Sequence, residues 1–243
     1  MKKLFLFLLV TLNLISCTAS KCSHLKPPSQ ERHNKSILPV KSFVKIDTVV
    51  KTIGAEDEPQ KFSSASGFFV SENQIITAGH FCNLDNVFMF FITKDIPLEA
   101  VAFFIKTFDG SVRQGSVVKI DKEADLCLMQ INGNTSKIDK VVLEFSDVPP
   151  IIGEKVINIA APLGIFTKEM VPIFEGYYCG TSLSDDGEQV VDLYSLPIVS
   201  GSSGSPIINR RGKVIGVVIA GVTKFQHLGF SPSYYILKKF LTP

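Results

Sequence analysis

The stretch Gly201-Ser202-Ser203-Gly204-Ser205-Pro206, followed by Ile207-Ile208-Asn209 and then Gly212-Lys213-Val214-Ile215-Gly216-Val217, decides how the rest of the chain is read. Ser203 has one glycine two residues before it and another directly after it, and the segment runs into two short β-type runs joined at a Gly-Lys turn. Glycine lets the backbone turn sharply there and leaves the space around a hydroxyl open. The setting is not the Gly-x-Ser-x-Gly elbow of an esterase-type hydrolase, in which a strand passes into a helix. Ser202 and Ser205 lack the flanking glycines, which makes Ser203 the candidate nucleophile among the three.

Two further segments extend the pattern towards the N-terminus. One is Ile76-Thr77-Ala78-Gly79-His80-Phe81-Cys82, preceded by Ser66-Gly67-Phe68-Phe69-Val70 and a Ser71-Glu72-Asn73 turn. The other is Ala124-Asp125-Leu126-Cys127-Leu128. A serine hydroxyl is a weak nucleophile at neutral pH and needs an adjacent base. Neutral His80 can take the Ser203 proton and return it to a leaving amine. Asp125 would hold the ring in the useful tautomer and stabilise the imidazolium. The backbone N–H groups of Gly201 and Ser203 would converge on the developing oxyanion. Asp121 is a rival for Asp125, but Asp125 opens an apolar run and is the better placed for burial at a barrel seam. Of the other histidines, His24 and His33 fall in a polar N-terminal segment, and His227 falls in the polar loop Lys224-Phe225-Gln226-His227.

The surrounding chain alternates short apolar runs with Gly, Asn, Asp and Pro. The runs are Ser66–Val70, Gln74–Thr77, Val87–Ile92, Val101–Lys106, Ser116–Ile120 and Leu126–Ile131, then Lys155–Ile159, Val171–Tyr178, Gln189–Leu193, Pro206–Asn209, Lys213–Ala220 and Leu228–Ser231. β-branched and aromatic residues dominate them, and the regular turn signals are those of an all-β sandwich or barrel. The segment Asp147-Val148-Pro149-Pro150 divides the runs into two sets of about six. Pro232–Leu241 alone has a helical pattern, with Tyr235, Leu237 and Phe240 among Lys238 and Lys239. The expected fold is all-β: two six-stranded antiparallel β-barrels with a short C-terminal helix. Barrel one spans about residues 41–146, barrel two about 151–231 and the helix 232–241.

Of 243 residues, 45% are hydrophobic and 20% charged, the balance of an ordinary globular protein. A net charge of +2 with scattered Lys and Arg offers no basic stripe for nucleic acid. No His/Cys grouping has metal-ligand spacing and no glycine loop has the phosphate-binding pattern, so neither metal nor cofactor is expected.

At the N-terminus Lys2 and Lys3 precede an apolar run from Leu4 to Ile15, too short to span a bilayer comfortably and read as a signal peptide. It ends Leu14-Ile15-Ser16-Cys17, which resembles a bacterial lipobox. The resemblance implies cleavage after residue 16 and a lipid on Cys17, giving an exported protein anchored in the cell envelope. The competing reading is an ordinary signal peptide cut near Ser20. Residues 17–40 then form a polar tether, with Pro27-Pro28 and the run Glu31 to Lys35, ahead of a folded domain over 41–243.

The order His80, Asp125, Ser203, together with the Gly-x-Ser-Gly-x-Pro segment and Gly229-Phe230-Ser231-Pro232, resembles the trypsin-like (chymotrypsin-fold) serine proteases, in particular the bacterial HtrA/Deg branch and the glutamyl endopeptidases. The resemblance runs from about Phe62 to Leu241 and implies an endopeptidase acting on protein or peptide substrates. A second reading keeps the fold without the chemistry, as a latent or inactive binding protein. Position 202 is Ser, where trypsins carry Asp and HtrA enzymes often Asn, so activation through a new N-terminus is not expected. Counting back from Ser203 places the pocket floor near Pro197-Ile198, with Ile219-Ala220-Gly221 as its wall and no acid to attract Lys or Arg. Small or apolar residues before the scissile bond are therefore expected. The regulated behaviour of HtrA proteins that carry a PDZ domain is not expected here. Cys82 and Cys127 each lie two residues beyond a triad candidate, and an exported chain can oxidise them. The pairing among Cys22, Cys82, Cys127 and Cys179 is left open.

Overall fold

Ten-residue strands rich in Val, Ile, Phe and Thr need partners on both sides, and in the first half of the chain they find them by closing on themselves. The structure, a computed structural model, describes residues 38–53, 59–184, 187, 189–222 and 224–241. The expected leader 1–16, Cys17, Cys22, His24, His33 and most of the expected tether lie outside the described residues.

Six strands form the closed barrel: β1 (Phe43–Thr52), β2 (Gln60–Phe69), β3 (Gln74–Ala78), β4 (Leu98–Thr107), β5 (Val112–Asp121) and β6 (Leu126–Ile131), in the order β1-β2-β3-β6-β5-β4. Closure satisfies every strand edge. Val44, Ile46, Phe69, Ile75, Ile105 and Met129 fill the interior with no exposure. Each contributes about 1.5–3 kcal/mol by leaving water. The Ser71–Asn73 turn is set by Val70 N–H donating to Gln74 O (3.0 Å) and Gln74 N–H donating to Ser71 Oγ (3.1 Å).

The second half forms a seven-stranded antiparallel sheet of β7 (Lys155–Ile159), β8 (Ile173–Leu183), β9 (Val190–Tyr194), β10 (Pro206–Asn209), β11 (Val214–Val217), β12 (Ala220–Gly221) and β13 (Gly229–Pro232), ordered β11-β10-β7-β8-β9-β13-β12. It curls around Val156, Tyr194, Leu196, Ile207, Ile215 and Val218. Its β11 end reaches β13 without a ladder, through Val217 N–H donating to Ser231 Oγ (3.0 Å), while Ile219 N–H donates to Phe230 O (2.9 Å) beside the β12–β13 pair. The single run expected over Lys213–Ala220 breaks into β11 and β12 because of the serine loop. Val218 spends both backbone groups elsewhere, donating to Ser205 O (3.0 Å) and accepting from Gly204 N–H (2.7 Å).

The expected strand Val87–Ile92 is instead a helix. After the single turn α1 (Gly79–Cys82), α2 covers Asp85–Thr93. Asn83 Oδ1 accepts the Asp85 N–H (3.1 Å) at its start, and Val87 and Phe91, four apart, bury together against Val50. An unbroken apolar run carries no period of its own, so helix and strand read alike. With β3 already paired to β2 and β6, no edge remained for it. The cost is an apolar outer face, with Phe88, Met89, Phe90 and Ile92 exposed.

The C-terminal helix α3 (Tyr234–Leu241) buries Tyr234, Leu237 and Phe240, leaving Tyr235 outside. Leu237 and Phe240 join Phe43, Phe68, Ile76, Leu126, Ile159 and Ile208 in one cluster that draws on the barrel, the sheet and α3. The two β units are thus welded by a shared apolar seam, and the candidate residues sit along it. Among the described residues no helix is long and apolar enough to cross a membrane.

Candidate active site

His80 and Asp125 are brought together by a close approach of two backbones. Gly79 N–H donates to Asp125 O (2.8 Å), joining the end of β3 to the residue before β6. A Cβ on Gly79 would lie 2.8 Å from Leu126 N and 2.9 Å from Asp125 C, so the contact requires glycine. Asp125 itself is left-handed, with φ of 51°, a conformation Asp tolerates better than most residues. Its carboxylate then serves His80 twice: Oδ1 accepts the backbone N–H (2.5 Å) and Oδ2 lies 2.7 Å from Nδ1. Asp121, the rival, instead caps its own turn by accepting the N–H groups of Glu123 (3.1 Å) and Ala124 (2.9 Å). A disulfide between Cys82 and Cys127 fixes the same corner, with Cα atoms 6.4 Å apart. Cys179 is free and exposed.

The serine loop, from the other β unit, packs against β2 and β3 of the barrel. Ser202 and Ser205 are buried, and Ser205 Oγ accepts from Asn158 Nδ2 (2.8 Å); of the three serines, Ser203 alone is partly exposed. Ser66 N–H, on β2, donates to Ser203 O (2.9 Å). Gly204, with φ of 83°, lies so close to the barrel that a Cβ would overlap Ser66 O and Thr77 Oγ1 and stand 2.8 Å from Ala78 N, two residues before His80. The N–H groups of Ser202, Gly204 and Ser205 donate to Val199 O, Val218 O and Ser202 O. Those of Gly201 and Ser203 have no acceptor among the described residues. Two free donors on either side of Ser202, one of them on the partly exposed Ser203, are of the kind that can bind a developing negative charge.

The residues expected to form a substrate pocket assemble in part. Ile198 is buried and donates its N–H to Gln226 O (2.8 Å). Its side chain lies over the paired glycines of the wall: positions for a Cβ on Gly221 and on Gly229 would fall 2.8 and 2.7 Å from it. Ala220 pairs with Phe230 on the same wall, Ile219 is half-buried beside it, and Pro197 is the half-buried neighbour of Ile198. His227 is exposed and meets Phe225 edge-on at 5.6 Å. Among the described residues, no group of three His, Cys, Asp or Glu side chains could hold a metal ion.

On β9, burial raises the pKa of Asp192, against hydrogen bonds from Tyr234 N–H (2.9 Å) and Tyr178 OH (3.1 Å). These tie α3 to the sheet. The sequence names Ser66 and Gly229 within longer segments but assigns neither a role in the site. A buried serine within the apolar run Ala65-Ser66-Gly67-Phe68 was the signal for the first.

A closed barrel and a curled sheet share an apolar seam, His80 is hydrogen-bonded to Asp125 at one corner, and the glycine-flanked Ser203 loop packs against the barrel through Ser66; this is the architecture of a trypsin-like serine peptidase. The sequence profile of the trypsin-like peptidase domain matches residues 65–217, and the chain belongs to that family. It is 27% identical over 179 residues to the serine protease HhoB of Synechocystis, covering 72% of this chain and 38% of that protein. It is 26% identical over 117 residues to the HtrA-like serine protease of Staphylococcus aureus, covering 45% of this chain and 15% of that one. The match thus spans well under half the length of either curated relative. Among solved structures, the active form of the Rv3671c protease from M. tuberculosis superposes with a TM-score of 0.60 at 16% identity, covering 83% of this chain and 79% of its own, a likeness of fold.

Proposed function

We propose that the chain is an endopeptidase of the cell envelope that cleaves peptide bonds through an acyl-enzyme on Ser203. The observation that carries the reading is the double contact of the Asp125 carboxylate with His80, made through Nδ1 and the backbone N–H. It fixes the ring's orientation and leaves Nε2 to take the Ser203 proton as Oγ attacks the substrate carbonyl carbon. The carbonyl π electrons move to oxygen, where the Gly201 and Ser203 N–H groups stabilise them. Collapse of the tetrahedral species breaks the C–N bond, and the amine leaves with the proton from His80. Water, deprotonated by His80, then releases the acid and restores Ser203.

Ile198 makes the specificity pocket shallow and apolar, which supports small uncharged side chains before the scissile bond. The leader Leu4–Ile15 and Cys17 support export and a lipid anchor, whose chains hold a membrane by about 0.8 kcal/mol per buried CH₂.

The test is labelling of the full chain by a fluorophosphonate, beside Ser203→Ala. Labelling of the wild type alone is expected. Absence of labelling in a folded wild type would reject the catalytic reading and favour a protease-fold binding protein. Release of the protein from membranes by Cys17→Ala tests the anchor, and an unchanged membrane fraction would reject it.

A further inference from the structure

Two peptide planes flank Gly201, and each is held from outside its own loop. The carbonyl of Ser200, on the plane that carries the Gly201 N–H, accepts from Leu163 N–H (2.6 Å). The carbonyl of Gly201, on the next plane, accepts from Ser66 Oγ (2.7 Å). In a trans peptide the C=O and the N–H point in opposite directions, so fixing Ser200 O fixes where the Gly201 N–H aims. The two holds are not independent. Ser66 Oγ also accepts the N–H of Ala161 (2.9 Å), at the head of the turn Pro162–Gly164 that presents Leu163. Leu163 is itself left-handed, with φ of 54°, and its side chain is exposed. A strained backbone persists only where its surroundings over-determine it. Ser66 has no exposure, its own N–H goes to Ser203 O, and its carbonyl accepts from Thr77 Oγ1 (2.7 Å).

We propose that Ser66 is a positioning residue for the reaction: through Gly201 O and Ala161 N–H its hydroxyl sets the direction of the Gly201 N–H that binds the oxyanion. The inference rests on the reading of Ser203 as nucleophile. Ser66 touches neither substrate nor reacting atoms; it acts through the loop. Its removal would leave one buried acceptor and one buried donor unpaired, freeing the second plane and loosening the turn through which Leu163 holds the first.

The experiment is Ser66→Ala in the full chain, with Ser66→Cys in parallel. The thiol is larger than the hydroxyl but keeps a weak donor at the same place. Loss of one oxyanion donor lowers kcat by about 10²–10³-fold. Ser66→Ala is expected to lose about 10²-fold in kcat and in fluorophosphonate labelling rate with KM nearly unchanged, and Ser66→Cys about tenfold. A peptide aldehyde, which forms an oxyanion on Ser203, should lose affinity in step with kcat, while the product peptide binds as before. A merely structural role would weaken both ligands alike. Retention of kcat in either folded variant overturns the proposal, as does parallel loss of aldehyde and product binding. If Ser66→Ala fails to fold, the same measurements on the thiol variant decide. Wild type that does not label at all would bring down the catalytic reading itself, a result separate from a labelled wild type with an equally reactive Ser66→Ala.

Discussion

Removing the Cys82–Cys127 bridge tests how the His80–Asp125 corner is held. The bridge closes a loop with a sequence separation of 45 residues, from two residues after His80 to two after Asp125. In the chain-entropy description such a cross-link costs the unfolded chain about 2.1 + 1.5R ln 45, roughly 13.5 cal/mol/K, or about 4 kcal/mol at 25 °C. For a domain of this size, each kcal/mol moves Tm by about 2–4 °C. Cys82→Ala/Cys127→Ala, and wild type unfolded with its thiols reduced, should therefore melt roughly 8–16 °C below the oxidised protein. Activity should respond differently. The contacts that place His80 against Asp125 are the Gly79 N–H to Asp125 O bond and the two carboxylate bonds, and none involves sulfur. Below the melting range, the labelling rate of Ser203 should stay within about threefold of wild type, under 1 kcal/mol of barrier. The assay is paired: thermal unfolding with and without reductant, and fluorophosphonate kinetics on each form. A stability difference under about 1 kcal/mol would refute the loop-closure argument. A labelling rate that falls tenfold or more in folded protein would show that the bridge, not the backbone pairing, positions the histidine.

Ile198→Ala should open the pocket that Ile198 now fills; against substrates differing only before the scissile bond, the preference for Leu over Ala in kcat/KM should rise by about 10–100-fold. An unchanged preference would mean the pocket lies elsewhere. Asp192 gives a pH signature. Its native pKa is raised above the ordinary 3.8, chiefly by burial, so the folded state binds its proton more tightly than the unfolded state. Its contribution is therefore full below about 3.8 and is lost as pH rises through the native value. Relative to Asp192→Asn, wild type should lose stability over that window in urea titrations. A difference that grows in the opposite direction would contradict the burial.

Sequence alone determined the chemistry-bearing segments and most of the strands. A glycine-flanked serine, a Thr-Ala-Gly-His after an apolar hairpin and an Asp at the head of an apolar run each encode a local requirement, and local requirements are written in neighbouring residues. Strands β6, β7 and β10 begin and end where the apolar runs do, because turn residues bracket each of them. What only the tertiary structure decided is where groups distant in sequence meet. Residues Val87–Ile92 became a helix because the barrel had no free edge, a fact about β3 and β6 and not about those six residues. The break at Val218 exists because the serine loop takes both of its backbone groups. Ser66 lies 135 residues from Gly201, and its hydroxyl reaches that carbonyl only after barrel and sheet have closed on their shared apolar seam. Periodicity reports which face of a segment is buried; it carries no record of which hydrogen-bond partner waits on the other side of the seam.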